Sequence, residues 1–194
     1  IVAAIIASYI LYDRSKLYKP KELFKDLEIK EEDRAILLHA SFDPVSNEIE
    51  KMFKVNNLNV YNIYGNRHEH ESAIKISEKY FPPNKRDIKI DPTQFPDKEN
   101  TYEYLFAITS IHEILTHSER VQFFKEAKRI LKTDGILIVC EQMRDVINLL
   151  FFNFGFLHFV SMNNWKKAIN EAGMKVESEE ELTPFAKVLY VKAK

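Results

Sequence analysis

Cysteine is nearly missing from this 194-residue chain, with Cys140 alone. No intrachain disulfide can form, which suits a reducing cytoplasm. Cys140 stands inside an apolar run and reads as a small core residue rather than a nucleophile. Excess charge of one sign is missing too. The 28 Lys and Arg against 29 Asp and Glu leave a formal net charge of −1. Nothing electrostatic therefore calls for nucleic acid as a partner. The basic clusters Lys16–Lys25 and Lys125–Lys132 alternate with acids or apolar residues and read as solvated faces. Glycine is scarce, at 4 residues. No G-x-G-x-x-G follows the first apolar run, which makes a nicotinamide dehydrogenase a weak reading. A long apolar stretch is also lacking. The opening IVAAIIASYILY is far short of the roughly 20 residues that span a bilayer. The chain starts at Ile rather than Met, so a longer natural N-terminus is expected. Two readings of this opening stand side by side: a helix packed on the domain or a partner, and the tail of a membrane anchor or signal segment.

What is present is a chain long enough for one sizeable core. Residues 1–34 read as an N-terminal helical segment and residues 35–194 as the domain. Its centre is Tyr102 to Asp145. Tyr102–Thr109 reads as a strand buried on both faces. Ser118 reads as a helix N-cap with Glu119 in the first turn. Val121, Phe124, Ala127 and Leu131 recur at helical spacing. Thr133-Asp134-Gly135 is expected to end that helix, with Gly135 left-handed. Ile136–Cys140 is a second buried strand, and the two strands form a right-handed parallel crossover.

Upstream, Tyr18-Lys19-Pro20 reads as a break before the short stripe Leu23, Phe24 and Leu27. Ala35–Ala40 is the first strand. Asp43 then suits an N-cap and Pro44 the first helical position. Leu58–Tyr64 and Ile88–Ile90 are strands flanking a helix at Glu69–Tyr80. Downstream, Asn163 or Asn164 caps a helix running through Ala172 and closed by Gly173. Met174–Ser178 and Phe185–Val191 form an antiparallel hairpin around Thr183-Pro184. Alternating strands and helices over five strands predict an α/β fold: an open, doubly wound, mostly parallel sheet with helices on both faces.

Two histidine patterns invite a metal, and both read otherwise. His68 and His70 are two apart with no third ligand nearby, as in a solvated helix start. His112 and His117 are five apart, which puts them on different helical faces and excludes a zincin. No metal ligand is expected.

The order of elements resembles the class I S-adenosylmethionine-dependent methyltransferases, whose fold is Rossmann-like. The resemblance covers Ala35 to Lys192. It is carried by EAKRILKTDGILIVCEQMRD, by AITSIHEI and by the tail FGFLHFVSMNNWKKAINEAGMKVESEEELTPFAKVLYV. SFDPVS, EQMRD and GFLHF are similar to "GFDETS", "EHLRD" and "GFFHF" segments of a bacterial subgroup. The resemblance implies S-adenosylmethionine as cofactor. It puts His39, Ala40, Ser41, Phe42 and Asp43 against the methionine end, Asn62 and Ile63 at the ribose, Asp91 and Pro92 at the adenine, and Ser110 to His112 with the Glu141–Asp145 segment facing the methyl group and the acceptor. The chain departs from the family in having no glycine in the loop at His39–Asp43 and Asn62 where an acid takes the ribose hydroxyls.

His112 and Glu113, at a strand end, are the acid–base candidates. The aromatic run Phe151, Phe152, Phe154, Phe156 and Phe159 is either an acceptor lid or a core or homo-oligomer interface. On the lid reading the acceptor is a small apolar or aromatic molecule touched by Arg144, Phe154 and His158. Arg144 and Asp145 either pair with each other or orient it. Two functions follow: a methyltransferase with such an acceptor, or a non-catalytic methyltransferase-like binding or scaffold domain that has lost its cofactor. The expected partner is a small-molecule acceptor.

Overall fold

A computed structural model describes residues 2–53, 57–64 and 87–194. Seven strands form one sheet: β1 (Ala35–His39), β2 (Leu58–Asn62), β3 (Ile88–Lys89), β4 (Tyr102–Ile108), β5 (Leu131–Gln142), β6 (Met174–Thr183) and β7 (Ala186–Ala193). Their order is β3-β2-β1-β4-β5-β7-β6. Only β7 runs antiparallel to its neighbours β5 and β6. The expected α/β sheet with a closing hairpin is therefore present. The helix expected at Glu69–Tyr80, and His68 and His70 with it, lie outside the described residues.

The central strands are apolar on both faces because both faces are covered. Ile36 and Leu38 of β1 enter one core with Phe123, Phe124 and Trp165. Ala35 and Leu37 enter the other with Leu11, Leu17, Phe24 and Phe106. Burying a ring such as Phe106 contributes about 1.5–3 kcal/mol. The first core is roofed by α4 (His117–Ile130) and α6 (Met162–Glu171). The second is roofed by the N-terminal segment: α1 (Val2–Ser8) runs into a π-helical turn, Tyr9–Arg14, followed by α2 (Pro20–Leu23), whose first residue is the expected proline. The N-terminal segment thus shares a core with β1 and β4. Among the described residues no helix is long and apolar enough to cross a membrane.

Several local expectations are corrected. Thr116, not Ser118, caps α4: its hydroxyl accepts from the Glu119 amide at 3.2 Å while Glu119 accepts from the Thr116 amide at 3.3 Å. That reciprocal pair needs a three-residue spacing, which Ser118 and Glu119 lack. The helix ends at Ile130, and Thr133-Asp134-Gly135 lies within β5. Gly135 is not left-handed. A Cβ there would stand 2.9 Å from the carbonyl oxygens of Lys132 and Tyr102, so close approach to β4 requires the glycine. Gly173, at φ +75°, does close α6 as expected, but Ser161 rather than Asn163 or Asn164 caps its start. Asp43 caps at a distance: α3 (Ser46–Glu50) begins later than Pro44, yet Asp43 accepts from the amides of Val45 and Ser46.

Candidate functional site

The carboxyl ends of β1, β2, β4 and β5 share one edge, where open parallel sheets bind ligands. At the β4–β5 side the key residue is Glu141, 1 % exposed and directly following the apolar run Ile136–Cys140 of β5. A buried carboxylate needs donors, and it has four. Its Oε1 accepts from the amides of Ser110, Ile111 and His112 at 2.9, 2.9 and 3.3 Å. Its Oε2 lies 2.7 Å from His112 Nδ1. The Arg120 guanidinium holds the same turn from below, donating to the carbonyls of Ile114 and Leu115. Carboxylate and backbone thus fix the imidazole, with Nδ1 donating and Nε2 turned outward. Burial pushes the His112 pKa down, but the charge and hydrogen bond of Glu141, with the charge of Glu113, outweigh it and leave it raised. Glu113 Oε1 is 3.6 Å from His112 Nε2 and 3.1 Å from His158 Nε2. The two acid–base candidates are therefore brought together, with His158 beside them.

His112 and His158 open on a cavity of about 520 Å³ lined also by Tyr12, Tyr18, Phe42, Thr109, Gln142, Phe152 and Phe159. It is walled mainly by rings. Its polar handles are few: the Tyr12 hydroxyl donates to Gln142 Oε1 at 3.0 Å, while Gln142 Nε2 is buried without a hydrogen-bond partner. Burial raises the pKa of Tyr12 and Tyr18, and the Glu141 charge adds to both, so both stay neutral donors. A larger cavity, about 670 Å³, lies by Glu103, Lys132 and Asp134, at the amino-terminal ends of β4 and β5. That is the wrong edge of the sheet for a ligand site of this fold.

Not every residue picked from sequence reaches the cavity. Phe154 is 86 % exposed and lies off the lining. Arg144 donates to the carbonyls of Phe159 and Leu157, so it secures the turn carrying His158 rather than facing a ligand. Asp145 neither pairs with Arg144 nor faces the cavity; it caps α5 (Val146–Phe152) by accepting from the Asn148 amide at 2.8 Å. His117 bonds Glu171 Oε2 at 2.8 Å on the outer surface. Glu141 and Gln142 belong to the segment placed beside the acceptor from sequence and Phe42 to the loop placed against the cofactor, while Tyr12 and Tyr18 carry no signal in the sequence and were missed.

On the β1–β2 side, His39, Ser41 and Asn62 are buried together with Asp87. His39 Nε2 lies 3.0 Å from Asp87 Oδ1. Asn62 accepts from the amides of Ser41 and Tyr64 at 3.2 and 3.0 Å, and its amide nitrogen reaches Ser41 Oγ at 3.3 Å and Asp87 Oδ2 at 3.4 Å. An acid therefore does stand beside Asn62, contributed from just before β3 and not from β2. Ser41 has φ 61°, so the loop makes a left-handed turn without a glycine, at a cost of about 1–2 kcal/mol. Ala40 is half-buried, Ile63 donates its amide to the His39 carbonyl, Asp91 bonds Thr93 in an exposed turn and Pro92 is buried. Among the described residues two buried polar atoms at this edge have no hydrogen-bond partner, His39 Nδ1 at the end of β1 and Ser110 Oγ just after β4, and a polar ligand lying over those strand ends would satisfy them.

No family model matches the sequence, and no curated protein matches it significantly. Its fold does match solved structures. The PH0226 protein from Pyrococcus horikoshii OT3 superposes with a TM-score of 0.67 at 18 % identity, over 93 % of this chain and 91 % of that one. A SAM-dependent methyltransferase from Aquifex aeolicus gives 0.64 at 17 %, over 95 % and 92 %. An S-adenosylmethionine-dependent methyltransferase from Clostridium acetobutylicum ATCC 824 gives 0.63 at 11 %, over 97 % of each. The chain has the class I methyltransferase fold.

Proposed function

We propose that this chain is an S-adenosylmethionine-dependent methyltransferase acting on a small, largely apolar and aromatic acceptor. The observation that carries the reading is the ring-lined cavity beside the loop after β1, with Gln142 in its lining and that residue's amide nitrogen unpartnered among the described residues. A pocket of this size with few convergent polar groups suits a small molecule held by one oxygen or nitrogen. His39, Ser41, Asn62 and Ser110 are the residues that would hold the cofactor, with Asp87 in the acidic role at the ribose. When bound, the cofactor supplies an already activated methyl group. The chain's own task is then to place the acceptor in line and to take its proton. Phe42, Phe152 and Phe159 orient it, and His112, aimed by Glu141, is the base. Incubation with methyl-labelled cofactor and a panel of hydroxylated aromatics tests this: transfer of label to any of them is expected, and no transfer to any contradicts the reading.

One observation favours a second reading, a binding module without methyl transfer. His39, Ser41, Asn62 and Asp87 already bond one another. On that reading aromatic ligands bind the cavity and S-adenosylhomocysteine does not bind at all, which calorimetry distinguishes.

A further inference from the structure

We infer that His112, Glu113 and His158 form a binding site for a zinc-type divalent cation, open on one side to the aromatic cavity. One ligand atom from each lies within 4.8 Å of the other two. A tetrahedral site with bonds of about 2.0–2.1 Å sets its donor atoms roughly 3.4 Å apart. The separations of 3.6 Å and 3.1 Å from Glu113 Oε1 to the two histidine nitrogens sit on either side of that value. The imidazole rings meet edge to face, 5.2 Å between centroids, and their ligand atoms lie within 4.8 Å of each other, so a swing of one ring closes the third edge. His158 can make it, because its side chain is 44 % exposed. His112 cannot, and this rigidity is the second observation. Its Nδ1 is tied to a carboxylate that three backbone amides hold in place. A metal-ligating histidine is supported in this way: the carboxylate fixes the tautomer, aims Nε2 and raises its basicity.

Charge also balances. A divalent cation among Glu113 and Glu141 is neutralised overall, so a cation in a mostly buried place is not left uncompensated. Two nitrogens and one carboxylate oxygen leave a fourth position free, as catalytic sites do. Both histidines line the cavity, so that position faces it. On the methyltransferase reading, on which this last step rests, the fourth ligand is the acceptor's oxygen. The cation would lower that oxygen's pKa so that the acceptor binds as the oxyanion with its proton released to solvent, and His112 would then be a ligand rather than the base. The acceptor class narrows to hydroxylated aromatics that bind through oxygen.

The test uses the full chain, stripped by chelator, with Co²⁺ as a spectroscopic probe and Zn²⁺ by calorimetry. No S-adenosylmethionine is present, so failure here leaves the cofactor reading standing and failure of cofactor binding leaves this one standing. One ion per chain is expected, with visible Co²⁺ bands that shift when a simple phenol is added. His158→Ala and Glu113→Gln should each weaken binding at least about 10-fold, and Glu141→Gln about 10–100-fold through the supporting hydrogen bond. His117→Ala, on the outer surface, should change nothing. Absence of saturable binding, or binding that survives both His158→Ala and Glu113→Gln, overturns the site. Bands that ignore phenol overturn its opening onto the cavity.

Discussion

The two halves of the carboxyl edge solve the same problem in opposite ways. Each buries polar side chains at the end of central strands, where every donor and acceptor must find a partner. On the β4–β5 side, Glu141 takes up three backbone amides and one imidazole nitrogen, and the outcome is a histidine aimed outward into a cavity. On the β1–β2 side, His39, Ser41, Asn62 and Asp87 are turned toward one another. The first arrangement presents chemistry, and the second presents a closed lattice with His39 Nδ1 left over among the described residues. A buried polar cluster therefore marks a ligand site only through the groups it leaves unmatched or aims outward.

The comparison breaks first at Glu141. Glu141→Ala should cost about 3–5 kcal/mol, because it strands three amides and one imidazole in a buried place. A urea midpoint that falls with unchanged slope checks this. Asn62→Ala should cost less, about 2 kcal/mol, since it removes the acceptor of two amides, those of Ser41 and Tyr64. The two clusters share no partner, so the double variant should sum within about 0.5 kcal/mol. A larger discrepancy would mean that the halves are one network.

Tyr12→Phe removes only the hydroxyl bonded to Gln142. It should cost about 1 kcal/mol or less in stability while weakening an aromatic ligand's binding, read by calorimetry. The smallest effect lies away from the site. Tyr61 and Tyr102 both bond Asp97, and burial together with that carboxylate pushes the Tyr61 phenol up to about 12 and Tyr102 up further. A phenol whose pKa is raised on folding adds stability in full below its unfolded value near 10, and that share fades as pH rises toward about 12. Urea midpoints should therefore hold up to pH 10 and fall above it, less so in Tyr61→Phe.

Much of the sheet was legible because the central strands are buried on both faces, so Ala35–Ala40 and Tyr102–Thr109 read as largely apolar runs and Ile136–Cys140 as an unbroken one. Caps were less legible. Thr116 and Ser118 are both good capping residues, and only the reciprocal bond with Glu119 decides between them. Gly135 looked like a helix terminator, but the close passage of β4 requires it. At the site, His112, Glu113 and His158 could be picked out as polar residues among apolar neighbours. Their supports could not. Glu141 acts through backbone amides some 30 positions earlier in sequence, Asp87 reaches His39 from 48 positions later, and Tyr12 and Tyr18 arrive only because the N-terminal segment folds across the sheet. Partners brought together by tertiary closure leave no periodic trace.

Calorimetric titration of the full chain with S-adenosylhomocysteine bears most directly on the methyltransferase reading. Saturable heat corresponding to one site per chain is expected, weakened by Asn62→Ala and untouched by His158→Ala. No heat and no thermal shift at millimolar ligand would contradict it, and would mean that His39, Ser41, Asn62 and Asp87 bond one another because nothing else binds there.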